Sequence, residues 1–166
     1  QEKIKRVQKE LKITTIFVTH DQDEAMIMSD KIHLMNNGVV EQSGNPVQLY
    51  THPVSKFAAE FIGHYNILDK DKLKTLLPSK DFNNNFYAIR PETIHIQTEP
   101  IEDKNMYVFE AIVDNYISRG NVLRYTLRHE DVSFKSEVLF RSYTLFDEGQ
   151  KVYVGIEPHN ILEIRD

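Results

Sequence analysis

The stretch TTIFVTHDQDEA, residues 14–25, changes character at a single histidine. Its first five residues are β-branched or aromatic, which predicts a buried strand over Thr14–Val18 of the kind found in parallel sheets. Asp21 then predicts the start of a helix, with Glu24 three residues later, as in a capping box. His20 therefore falls at the carboxyl end of the predicted strand, where open α/β sheets bind their ligands. A neutral imidazole at that place can donate a hydrogen bond to an anion.

The residues around this stretch predict mixed α/β structure as far as residue 63. Apolar periodicity, helix caps and the turn signal Asn36-Asn37-Gly38 indicate four helices and a hairpin in addition to the buried strand. The first predicted helix ends near Lys12, and the other three cover residues 22–29, 47–50 and 54–62. The hairpin strands are predicted at residues 32–35 and 39–42.

The second half of the chain has the pattern of a small antiparallel barrel. Residues 64–85 are predicted to be a linker that holds one short helix, 69–77, which ends before Pro78. Short alternating strands follow, separated by turn residues. They are predicted at residues 86–89, 93–98, 106–118, 122–127, 132–140, 151–156 and 160–164.

Composition excludes several classes of protein. The 166 residues contain no cysteine, so disulfides and thiolate metal sites are ruled out. No apolar run approaches the ~20 residues of a membrane helix, and we expect no direct membrane insertion. The net charge is −5, and residues 81–166 carry 15 acidic against 9 basic residues. Because nucleic-acid modules present a basic surface, we expect no nucleic-acid partner.

Few other residues are candidates for a functional site. Arg90, beside Pro91 and Glu92, could bind a regulatory anion, although an ion pair at a barrel corner is the simpler interpretation. Asp21, Asp23 and Glu24 could suggest a divalent cation beside His20, but helix capping and exposure explain them better. The remaining six histidines lack the spacing of metal ligands, so we assign no metal site.

Residues 20–63 resemble the ATPases of ATP-binding-cassette (ABC) transporters. His20 matches the switch histidine that contacts the γ-phosphate of ATP in that family, and the following DQDEA is similar to its D-Q-x-E-A. The later segment GNPVQLYTHPVSKFAAEFIG, residues 44–63, resembles the exit from the ATPase domain in importers with an extra carboxy-terminal domain. The resemblance implies that His20 is both a catalytic and an ATP-binding residue.

The second half resembles the transport-associated OB-type (TOBE) domain. The matching pieces are AIRPETI at residues 88–94 and VYVGIEPHNI at residues 152–161. The expected fold is therefore α+β, with the end of a P-loop ABC ATPase domain followed by an OB-like antiparallel barrel. The expected units are residues 1–63, a linker at 64–85 and a barrel at 86–166.

The resemblance also implies a function. The chain lacks a G-x-x-x-x-G-K-[ST] loop, the ABC signature motif and the acidic strand with the catalytic glutamate, so we expect a carboxy-terminal piece that is inactive alone and holds no cofactor. The intact subunit is expected to use ATP and Mg²⁺ and to form a homodimer. It is expected to work with permease subunits and a solute-binding protein on the cytoplasmic face of the membrane. FIGHYNIL at residues 61–68 resembles importers of polyamine, iron or phosphonate type more than sugar importers, and a polyamine, spermidine or putrescine, is the first choice among these.

Two other functions remain open from the sequence. The chain could be a stand-alone regulatory or dimerising OB-type module that binds a small ligand and catalyses nothing. An OB fold could also stack nucleic-acid bases on its aromatic residues, although the acidic balance opposes this.

Overall fold

The computed structural model describes residues 2–140 and 145–166. The helices are short, and most strands have the lengths that the alternation predicts. The helices are α1 (Glu2–Leu11), α2 (Gln22–Met28), α3 (Pro46–Thr51), α4 (Lys56–Gly63) and α5 (Lys70–Leu76), with 3₁₀ turns at Pro91–Thr93 and Pro158–Asn160. The strands are β1 (Ile32–Asn36), β2 (Val39–Gly44), β3 (Asn66–Asp69), β4 (Phe86–Ile89), β5 (Ile94–Gln97), β6 (Tyr107–Arg119), β7 (Val122–His129), β8 (Val132–Leu139), β9 (Lys151–Ile156) and β10 (Leu162–Ile164).

The first 63 residues contain a hairpin and four helices, and a small core joins the hairpin to α3 and α4. β1 and β2 pair antiparallel across a turn in which Asn37 and Gly38 both have positive φ, 48° and 82°. Such turns match the twist of the strands they join, and they favour Asn-Gly. Leu34 of β1, Leu49 of α3 and Ala58 of α4 are buried together. The predicted hairpin and the helices on both sides of it are thereby confirmed.

The strand predicted at Thr14–Val18 for a parallel sheet does not form in this structure, as expected where the other strands of such a sheet are missing. Residues 13–19 form neither helix nor strand, and Ile16 and Val18 are 90% and 91% exposed. The residues have strand propensity, but a strand exists only where another strand accepts its backbone hydrogen bonds. None of the described residues pairs with this segment, so the local preference has no tertiary contact to complete it.

The second half forms two antiparallel sheets that share one core. The larger sheet has the order β5-β9-β6-β7-β8 and curls into a half-barrel, while the smaller has the order β10-β4-β3. Buried residues alternate along β6, where Phe109, Ala111 and Val113 lie on one face as the sequence predicts. The α+β fold class, with antiparallel sheets throughout the second half, is confirmed.

Side chains close the seam where the two sheets meet. The buried Asn66 of β3 donates from Nδ2 to the Lys135 carbonyl of β8 at 2.8 Å. Its Oδ1 accepts from the Lys135 N–H at 2.7 Å, so one amide replaces a pair of ladder hydrogen bonds. Ser136, the next residue of β8, donates from Oγ to the Ile94 carbonyl at the start of β5, at 2.8 Å. These contacts complete the barrel where no strand-to-strand ladder runs.

Residues 64–85, predicted to be a linker, supply parts of the barrel. β3 pairs with β4, and Asp69 caps α5 by accepting from the Lys72 N–H at 2.8 Å. Leu73 and Leu76 of α5 are buried in the barrel core. The sequence does not reveal β3, because a four-residue strand with two polar ends carries almost no local signal.

Candidate functional site

His20 lies on an exposed bend between residues 13–19, which form neither helix nor strand, and α2. α1 ends at Leu11, and the positive φ of Lys12, 51°, then turns the chain out of the helix. The His20 side chain is exposed, and the described residues offer it no hydrogen bond or ion pair. Its imidazole is therefore open to a ligand or partner from outside this part of the chain.

The residues on both sides of His20 are held by a small hydrogen-bond network. Asp21 accepts from the Glu24 N–H at 2.9 Å, which confirms it as the cap of α2. The second half of the predicted capping box differs, because the Glu24 carboxylate accepts from the Thr19 hydroxyl at 3.0 Å. The same hydroxyl accepts from the Asp21 N–H, also at 3.0 Å. Thr19 thus takes the place that the Asp21 backbone holds in an ordinary capping box.

The structure does not bring the other sequence-level candidates to His20. In the described part of the chain, no group of three or more His, Asp or Glu side chains could hold a metal ion. His33 contacts the Ser43 hydroxyl at 2.7 Å, and His129 contacts the Glu110 carbonyl. Asp23 is exposed in the first turn of α2, as expected for a solvated helix position.

Arg90 lies at the contact between the barrel and α3. Its Nη1 is 3.8 Å from the Glu92 Oε1, and its guanidinium lies 5.9 Å from the centre of the Tyr50 ring. The Tyr50 hydroxyl donates to the Glu92 carboxylate at 2.7 Å. Arg90 therefore takes part in an ion pair, while its use as an anion site stays a prediction. The role of Tyr50 was not predicted, because its partner is 42 residues away.

Two tyrosines at this contact, Tyr50 and Tyr65, have raised pKa values. Burial and the hydrogen bond to Glu92 raise the pKa of Tyr50 to about 12. Burial also raises the pKa of Tyr65, whose hydroxyl donates to the Tyr50 carbonyl. Both hydroxyls act as donors while protonated, so they hold α3 against the barrel over the ordinary pH range.

The last residues of the chain attach the barrel to the first half of the chain at a second place. The Arg165 N–H donates to the Val54 carbonyl at 3.1 Å, and the Lys56 N–H donates to the Arg165 carbonyl at 3.0 Å. The Arg165 guanidinium reaches the Glu41 carboxylate of β2 at 2.9 Å. Hydrogen bonds from Ser55 and Arg165 lower the pKa of Glu41. The barrel is thus fixed to β2 of the hairpin and to the start of α4.

Two grooves lie on the described part of the barrel. The larger, about 460 Å³, runs between the end of α5 and β6, with Lys80, Lys104 and His129 beside Tyr107 and Phe109. The smaller, about 210 Å³, follows the seam beside Asn66 and Lys135. No described helix is both long and apolar enough to cross a membrane.

Residues 87–162 match the family model described as the TOBE domain. The chain is also similar to proteins named spermidine/putrescine import ATP-binding protein PotA. That of Borrelia garinii subsp. bavariensis is 34% identical over 169 residues, covering 97% of this chain and 48% of the relative. That of Bacillus thuringiensis strain Al Hakam is 36% identical over 165 residues, covering 95% and 45%. That of Protochlamydia amoebophila is 37% identical over 137 residues, covering 70% and 37%.

The chain spans about half the length of the curated relatives it matches. The aligned part is the carboxy-terminal half of those relatives, and it ends in the TOBE domain.

Proposed function

This chain corresponds to the carboxy-terminal part of an ABC transporter ATP-binding subunit with a TOBE domain, and from this premise we propose that it serves polyamine import. The observation that carries the proposal is the match along 97% of the chain to a spermidine/putrescine import ATP-binding protein. The residues that precede the TOBE domain take part in that match, so the similarity extends beyond the barrel.

The proposed catalytic residue is His20, acting on the γ-phosphate of ATP in the full-length subunit. Its exposed imidazole can donate a hydrogen bond to a phosphate oxygen, and its backbone is held by the bonds of Thr19 and Asp21. Phosphoryl transfer depends on positioning and on stabilising charge, so one imidazole at the γ-phosphate can control the rate. Mg²⁺ accompanies the nucleotide, and the groups that bind the rest of the nucleotide lie outside this chain.

The barrel is proposed to regulate or dimerise the subunit. Two attachments support this role, one at Tyr50 and Glu92 and one at Arg165. They join the barrel to α3 and to the start of α4, so a change in the barrel can move those two helices. The subunit is proposed to work as a homodimer with permease subunits and a solute-binding protein, on the inner face of the membrane.

Substitution of His20 in the full-length subunit tests the proposal. We expect His20→Ala to lower ATP turnover by about 100-fold or more, because the lost hydrogen bond acts on charge that develops during the reaction. Nucleotide affinity should stay nearly unchanged. His95→Ala, at an exposed histidine of β5, is the matched control. Normal turnover in His20→Ala would show that the histidine has no part in catalysis.

The chain by itself gives a second test. Because its sequence contains no phosphate-binding loop, we expect the purified 166-residue chain to show no Mg²⁺-dependent ATP turnover. Turnover that copurifies with the chain and is abolished by His20→Ala would contradict this expectation.

A stand-alone regulatory module is the second candidate. It is favoured by the barrel's own large core, to which the linker segment contributes Leu68, Leu73 and Leu76. Titration of the chain with phosphate, sulfate, molybdate and spermidine, followed by amide NMR shifts, distinguishes a ligand-binding module from a purely structural one.

A further inference from the structure

Thr19 and Glu24 form a side-chain link that passes around His20. Both side chains are half-buried, whereas the imidazole between them is exposed. The Thr19 hydroxyl uses its one proton on Glu24 and a lone pair on the Asp21 N–H. A hydroxyl can fill both roles at once, and valine, which has the same shape, can fill neither.

The link fixes the chain both before and after His20. Thr19 is joined to Asp21 across the histidine, and Asp21 and Glu24 are joined again through the cap of α2 at 2.9 Å. With the backbone held at both flanking residues, the direction of the imidazole depends mainly on its own two side-chain torsions. Such preorganisation matters most for a group that acts in the transition state.

We propose that Thr19 and Glu24 are positioning residues for His20. The inference rests on the proposed role of His20 in ATP hydrolysis. It assigns to this hydrogen-bonded pair the task of holding the imidazole toward the γ-phosphate, and it assigns neither residue a contact with the nucleotide.

The test measures kcat and KM for ATP in the full-length subunit. Thr19→Val and Glu24→Ala should each lower kcat by about tenfold, the rate equivalent of about 1.4 kcal/mol, and leave KM within about twofold. Thr19→Ser and Glu24→Gln keep a donor or acceptor in place and should restore most of the rate. Asp23→Ala, at an exposed position of the same helix turn, is the control and should keep the normal kcat.

Double variants decide whether the pair acts through His20. Thr19→Val combined with Glu24→Ala should lower kcat no further than the more impaired of the two single variants, because each substitution already removes the Thr19–Glu24 hydrogen bond. Thr19→Val added to His20→Ala should cause no further loss. The inference is overturned if kcat is unchanged while the unfolding temperature falls, if only KM rises, or if Thr19→Val still lowers kcat without His20. A normal rate in His20→Ala would instead refute the proposed function.

Discussion

At the scale of single residues, two polar side chains in this protein make contacts that its backbone does not supply. Asn66 replaces a missing pair of ladder bonds, and Tyr50 fastens a helix to the barrel. Neither position is unusual in the sequence, and each depends on partners far along the chain. Because buried polar groups are costly when unpaired, removal of the Asn66 side chain should destabilise the fold through the partner groups that it leaves without hydrogen bonds.

The Asn66 seam predicts a large effect of a small substitution. Asn66→Ala should lower the free energy of unfolding by about 2–3 kcal/mol, because it removes three hydrogen bonds and leaves the Lys135 N–H and carbonyl without partners. Urea unfolding followed by circular dichroism measures the change. Asn85→Ala, an exposed asparagine before β4, is the control and should stay within about 0.5 kcal/mol. An equal effect of the two variants would refute the seam.

The raised pKa of Tyr50 predicts a loss of stability in alkali. Its folded value of about 12 lies above the ordinary value of 10.0, so its contribution is fully present below pH 10 and is lost as pH rises toward 12. Unfolding midpoints measured from about pH 9 to 11.5 should therefore fall with pH, and Tyr50→Phe should reduce that slope. Glu92→Gln should also reduce it, because the carboxylate helps to raise the pKa. Tyr65 keeps part of the slope in both variants. An unchanged slope in Tyr50→Phe would contradict the assignment.

At the scale of elements, local signals determine where the helices begin, and long-range contacts determine how the helices are attached to the barrel. The caps of α2, α3 and α4 each follow from one polar residue, Asp21, Asn45 and Ser55, that accepts from an N–H three positions later. The close approach at the end of α4 is also local, since a Cβ on Gly63 would lie 2.3 Å from the Tyr65 ring. Attachment of α3 and α4 to the barrel depends instead on partners remote in sequence, Glu92 for α3 and Arg165 for the start of α4.

The end of β10 predicts a contrast between two substitutions at one position. Arg165→Ala should cost less than about 1 kcal/mol of unfolding free energy, because the guanidinium pair with Glu41 is largely exposed on the arginine side. Arg165→Pro also removes the N–H that bonds to Val54, so it should cost more, about 1–3 kcal/mol. Hydrogen exchange should show faster exchange of the α4 amides in the proline variant alone. Equal effects would show that the backbone bridge contributes nothing.

At the scale of the whole molecule, the most unusual surface is the exposed apolar segment at residues 13–18. Ile13, Ile16, Phe17 and Val18 are between 50% and 91% exposed. An unpaired apolar segment of this kind is a template for pairing with another chain. The barrel, by comparison, is held by a single large core that joins both sheets and α5.

This surface predicts that the purified chain associates with itself. Light scattering should show a mass that rises with concentration toward a dimer, because pairing through residues 13–18 removes apolar surface from water. Ile16→Lys with Val18→Lys should return the chain to a monomer. Val47→Lys, at an exposed valine of α3, controls for added charge and should leave association unchanged. A monomeric wild-type chain at high concentration would refute the prediction.

Neighbouring residues are enough to predict the local structure of this protein and to show its resemblance to a family. Caps, the Asn37-Gly38 turn and the alternation of β6 are encoded by neighbouring residues, so they could be predicted with their places in the chain. His20 is a prediction that rests on the motif around it.

The way in which these parts are held together follows from the folded chain alone. The exposure of Thr14–Val18, the barrel seam at Asn66 and the attachments at Tyr50 and Arg165 all depend on residues remote in sequence. A strand needs a partner for its backbone, and a buried amide or hydroxyl needs a partner for its proton. Residue order alone does not state which distant group will be there, so these contacts could be known only from the folded chain.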